Sequence, residues 1–245
     1  NVFIDKAYSL KPDDPYIHGA SGLFYMQTKA NIPLGGTFLE KAYRAFPDDW
    51  RIVLNYGAYL LDFTNNRERC FEILSEALCL SDRNPYILTN LGNLMMIEKK
   101  YDSAHKYYTE ALIYNPQNPI PYHGLGHIYK LHTKDMNKAE ECYRKAIELE
   151  PENPDYKYDY GILLYQCGKY HEAATAFATA IRQNPEHIEA KNYLGIILGF
   201  NLNQRSKSIE IFDKLIKDGH LPQRALYNKA LLLESISPAE SLVCY

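Results

Sequence analysis

Two histidines, His123 and His127, stand four residues apart in the stretch HGLGH, a spacing that puts both imidazoles on one face of a helix. Such a pair is a candidate for metal ligation. A zinc-peptidase pattern needs Glu directly after the first His, however, and Gly124 stands there instead. No third ligand is fixed by the spacing, so the pair reads as a polar surface rather than a metal centre, and no cofactor is expected. Asp159 follows about one repeat later and is placed to lie beside His127. That contact would raise the imidazole pKa and change partner binding between roughly pH 6 and 7.5.

Other chemistry fails on context. Gly168-Lys169 is succeeded by Tyr170 and follows no strand, so it is no phosphate loop. Glu140, Glu141 and Glu148 beside Arg144 and Lys145 form a solvated helix face. No nucleophile, base and orienting acid are grouped, and the chain is expected not to be an enzyme.

The elements that carry these residues repeat. A column of small residues, Gly22, Gly57, Gly92, Gly126, Gly161, Gly195 and Ala230, recurs at intervals of 35, 35, 34, 35, 34 and 35. A second small column follows at Gly35, Cys70, Ala104, Ala139, Ala173 and Ser208. Four residues after each stands a large one: Leu39, Leu74, Tyr108, Tyr143, Phe177 and Phe212. Ala42, Ala77, Ala111, Ala146 and Ala180 then precede a breaker, usually proline. Small residues let two helix backbones approach while the large residue fills the space beside them, so each period is an antiparallel helix pair and the fold is all-α. Asp14, Asn84, Asn118 and Asn153 each precede a proline, the order of an N-cap and first helical position.

Six full repeats are expected over residues 15–222, starting at Pro15, Trp50, Pro85, Pro119, Pro154 and Ile188. Residues 1–14 read as the second helix of a truncated repeat, and residues 223–245 as the first helix and start of a further one. An interior piece of a longer chain fits both ends. In four repeats one extra residue is expected in the turn between the helices.

The columns resemble those of the tetratricopeptide repeats. Leu91-Gly92, Leu125-Gly126 and Leu194-Gly195, with Tyr25 and Tyr129 three residues after the glycines and the Ala, aromatic, Ala, Pro series, carry the resemblance over almost the whole chain. It implies a right-handed α-solenoid whose first helices line a concave groove, and a role as a protein–protein interaction module or scaffold. The partner implied is a protein or peptide segment, with a multi-protein complex as one setting for it. A substrate-recruiting arm of a larger enzyme, such as a glycosyltransferase, is the alternative. Pentatricopeptide repeats share the period and bind RNA, but the fidelity of the columns and a net charge of -3 argue against nucleic acid.

On first-helix positions outside the packing columns, Asn55, Asn90 and Asn228, with Asp159 as a variant, form a partial amide ladder two residues before the small column. Amides donate and accept, so they bond an extended main chain without selecting its sequence. Bridging between neighbouring helices is the structural alternative. Gly124 and Tyr193 interrupt the ladder. Asn93, His123, His127, Tyr158, Asn192 and Tyr227 complete the expected partner surface, within a lining that also holds Tyr16, Tyr86, Tyr165, Phe200, Met26 and Met96. The carboxylate clamp of chaperone-binding members is absent, because Gly19, Leu54, Thr89, His123 and Tyr158 occupy its lysine position.

Composition bounds the setting. No apolar run approaches the ~20 residues that span a bilayer, so no membrane insertion is expected. Five scattered cysteines without a CxxC fit reduced thiols and a cytoplasmic location.

Overall fold

The computed structural model describes residues 6, 11, 14–220 and 222–234. The helix expected within residues 1–14 lies almost entirely outside them, and the end of the further repeat expected over residues 223–245 lies outside from residue 235 onward. All regular structure among the described residues is helical. In chain order the helices are α1 (Pro15–Gln27), α2 (Ile32–Ala45), α3 (Trp50–Phe63), α4 (Arg67–Leu80), α5 (Pro85–Ile97), α6 (Tyr101–Tyr114) and α7 (Pro119–Ile128). They continue as α8 (Met136–Leu149), α9 (Pro154–Gln166), α10 (Tyr170–Gln183), α11 (Ile188–Ile196), α12 (Arg205–Lys217) and α13 (Pro222–Glu234).

Four of the first helices start on a side-chain cap followed by proline. The Asp14 carboxylate accepts from the Tyr16 and Ile17 amides at 2.9 and 3.4 Å. Asn84, Asn118 and Asn153 accept from Tyr86, Ile120 and Asp155 at 2.9, 3.2 and 3.1 Å. These caps satisfy amides that the first turn leaves over, and each contributes about 1 kcal/mol.

Two compact units divide the chain, residues 1–124 and 125–245. In the first, α1 packs on α2, α3 on α4 and α5 on α6, while α2 and α4 also meet the following first helices. First helices touch first helices, α1 with α3 and α3 with α5. In the second, each helix from α8 to α13 packs on its successor, with Phe177, Tyr143 and Phe212 fully buried in three successive clusters.

The small columns mark where backbones meet. A Cβ added at Gly22 would lie 2.5 Å from the Leu39 side chain and 2.9 Å from the Gly35 carbonyl oxygen. Where the second column is polar it also bonds the first: Cys70 Sγ donates to the Gly57 carbonyl at 3.5 Å and Ser208 Oγ to the Gly195 carbonyl at 2.7 Å. By contrast, a Cβ at Gly19, one turn earlier on α1, would meet nothing within 4 Å. Gly19→Ala is therefore expected to raise stability by about 0.5 to 1 kcal/mol through helix propensity. Gly22→Ala is expected to lower it by about 1 to 3 kcal/mol through overpacking. Urea denaturation of the two variants checks the opposite signs.

Extra residues are absorbed in three ways. After α1 the extra residue lies in the connecting turn, residues 28–31, while in the next repeat it lengthens α3 itself, which runs to Phe63 before the turn Thr64-Asn65-Asn66. After α7 and α11 the extra residues lie inside the helix, as π-helical turns at Tyr129–Thr133 and Ile197–Asn201, which, like the longer α3, corrects the expectation of a longer turn in those repeats. The Leu202 amide donates to the Ile197 carbonyl at 2.9 Å, and the Asp135 amide reaches back to Tyr129 at 2.9 Å. A wider hydrogen-bonded ring accommodates one residue without freeing a carbonyl, and the stretch IYKLHT holds no glycine or proline to end the helix sooner.

Candidate functional site

In the first unit, Asn55 on α3 and Asn90 on α5 occupy equivalent places two residues before Gly57 and Gly92. Both are half-buried, and neither side-chain amide makes a hydrogen bond among the described residues. Asn93 is committed differently, its Oδ1 accepting from the Tyr108 hydroxyl at 2.7 Å. That tyrosine explains the gap in the ladder. A Cβ at Gly124 would lie 2.4 Å from the Tyr108 ring, so no asparagine fits there.

The second unit carries the ionisable part. His127 Nε2 lies 3.2 Å from Asp159 Oδ2 on α9, the proximity expected of that pair. His127 also meets the Tyr143 ring edge-on, with centroids 5.6 Å apart and planes at 89°. Lys130, in the π turn that extends α7, places its ammonium 5.5 Å from the centre of the same ring. Burial holds the Lys130 pKa below the usual lysine range, against the opposing field of Asp159. His123, on the part of α7 that belongs to the first unit, is half-buried.

Further along, Tyr158 packs on His187 and Tyr193, with ring centroids 4.6 and 6.1 Å apart, and burial pushes its phenol up to about 12. Asn192 is 1% exposed, and its Oδ1 accepts from Asn228 Nδ2 at 3.1 Å. This pair bridges the first helices α11 and α13, the structural alternative to a ladder position. Tyr227 beside it is exposed. Lys130 is the residue that sequence reasoning missed. Its signal was a spacing of three from His127, but a lysine near a helix end ordinarily reads as solvated.

Two clefts lie away from these residues. One of about 440 Å³ is lined by Arg67, Phe71, Met95 and Lys100, the other of about 370 Å³ by Arg144, Tyr160, Leu164 and Thr175. Cys70 and Cys142 are unsuited to thiolate chemistry, because burial pushes each thiol up to about 11.

A family model described as the cilia and flagella-associated protein 70 middle TPR-like domain matches residues 60–193, more than half of the chain. The chain belongs to this tetratricopeptide-repeat family. BBSome complex member BBS4 of Bos taurus is 32% identical over 137 residues, covering 56% of this chain and 26% of that protein. A UDP-N-acetylglucosamine–peptide N-acetylglucosaminyltransferase of Giardia intestinalis is 27% identical over 202 residues, covering 79% of this chain and 13% of the enzyme. The chain thus spans about a quarter or less of the length of these relatives. Among solved structures, PilF of Pseudomonas aeruginosa superposes with a TM-score of 0.70 at 21% identity, over 83% of this chain and 90% of PilF. That likeness places the fold among the all-α tetratricopeptide solenoids. No helix among the described residues is long and apolar enough to cross a membrane.

Proposed function

We propose that this array is a non-catalytic binding module that holds a segment of a partner protein against its first-helix face, acting as a scaffold within a larger assembly in the cytoplasm. The observation that carries the reading is the pair Asn55 and Asn90, two amides in register on neighbouring first helices with their hydrogen-bonding capacity unspent. An extended main chain offers donors and acceptors with which such amides pair. Asn93, His123, His127, Tyr158, Asp159, Tyr227 and Asn228 extend the proposed surface within their respective units, whereas the buried Asn192, expected among them, serves to hold Asn228. Family membership and the similarity to a protein named as a complex member support a multi-protein setting, with a cilium or flagellum as the first place to seek partners.

Each amide would form one or two bonds worth about 0.5 to 1.5 kcal/mol net. Asn55→Ala with Asn90→Ala is therefore expected to weaken capture of partners from a lysate roughly tenfold to a hundredfold, with helicity unchanged. Undiminished capture by a folded double variant would contradict the ladder.

The second reading, a substrate-recruiting arm of a larger enzyme, is favoured by the similarity to the Giardia transferase over most of this chain. A catalytic domain in the same polypeptide would decide for it.

A further inference from the structure

We infer that Lys130 receives a carboxylate from the bound partner segment, supplied by an acidic side chain of that segment. The inference deepens the proposed function and rests on the first-helix face being the partner surface.

Lys130 is 8% exposed, so more than nine-tenths of it is withdrawn from water. Among the described residues its ammonium makes no hydrogen bond and no ion pair; its close partner is the face of Tyr143. A ring face attracts a cation but offers no lone pair in line with an N–H bond, so it replaces only part of the lost hydration. Three N–H donors are left to be satisfied from outside the protein. The carboxylate nearest in the fold, Asp159, is engaged by His127 at 3.2 Å.

Geometry and charge then select the ligand. His127 and Lys130 both contact the Tyr143 ring, His127 in a T-shaped arrangement and the ammonium over its face. A buried ammonium bonds an ionised acceptor about twice as strongly as a neutral one. A carboxylate therefore fits better than a main-chain carbonyl.

The test uses the whole chain labelled with ¹⁵N at lysine Nζ and three short probes. One is an alternating Ala-Glu peptide blocked at both ends, the second its Gln counterpart, and the third an alanine peptide with a free C-terminus. The Glu peptide is expected to shift the Lys130 Nζ signal and to bind about tenfold or more tightly than the Gln peptide. Lys130→Met is expected to abolish that preference without changing affinity for the Gln peptide, and Lys130→Arg to retain it. Equal binding of the Glu and Gln peptides, or a preference that survives Lys130→Met, would overturn the inference. Binding confined to the free C-terminus would overturn the side-chain source. If the Glu and Gln peptides bind equally and Lys130→Met has no effect, only this inference falls; if no probe binds, the reading of the face falls with it.

Discussion

Replacing Phe177 with alanine is expected to lower the stability of the array by about 3 to 5 kcal/mol, the range for emptying a fully buried phenylalanine site. The ring is completely buried and stacks on Tyr193 with centroids 5.4 Å apart and planes at 11°. Leu164, Ala180, Ala190 and Ile197 enclose it, so three successive helices and the π turn after α11 lose their common filler. Collapse into the space is restricted, because the walls on either side are backbone at Gly161 and the short side chains of two alanines. At roughly 2 to 4 °C per kcal/mol, the thermal midpoint should fall by roughly 6 to 20 °C. Stability in repeat arrays is carried largely by nearest neighbours. Amide exchange should therefore accelerate in α9, α10 and α11 well before α1 to α4, and uniform acceleration would contradict this account of the packing.

A second large effect is expected in the first unit from overpacking. The Tyr108 ring is held from two sides: an added Cβ would come within 2.5 Å of it at Gly92 and 2.4 Å at Gly124. Its hydroxyl is tied to Asn93 at 2.7 Å, so the ring cannot slide along its own axis either. Gly92→Ala gains about 1 kcal/mol of helix propensity. The clash should outweigh it, for a net loss of about 1 to 3 kcal/mol. Tyr108→Phe releases the hydroxyl tether and should recover part of that loss in the double variant. Chemical denaturation of the single and double variants measures the coupling, and strictly additive effects would show that the ring is not trapped.

These two sites also show what the sequence makes legible. The columns of glycine, alanine and large apolar residues could be read directly, because one packing problem recurs every 34 or 35 residues and has the same solution each time. The caps at Asp14, Asn84, Asn118 and Asn153 were equally legible, since they depend on two adjacent residues. The π turns were not, because an inserted residue has two accommodations and only the local breaking chemistry chooses between them. The proximity of His127 and Asp159 followed from stacking one repeat on the next. The burial of Lys130 did not, since it depends on the Tyr143 ring of the following helix. Nor did the Asn192–Asn228 bond, which needs both the register and the burial of two helices.

Family membership and an all-α repeat fold are compatible with several partner surfaces, including the two clefts outside the first-helix face. A photo-cross-linking residue placed at Tyr86 on α5 and, separately, at Phe71 on α4 separates them, because both positions are exposed and aromatic but lie on a first and a second helix. The account predicts that irradiation in lysate joins a discrete polypeptide to the Tyr86 position, with loss of the adduct when excess unlabelled array competes, and none to the Phe71 position. Adducts at Phe71 alone, or equally at both, would contradict a partner held against the first helices.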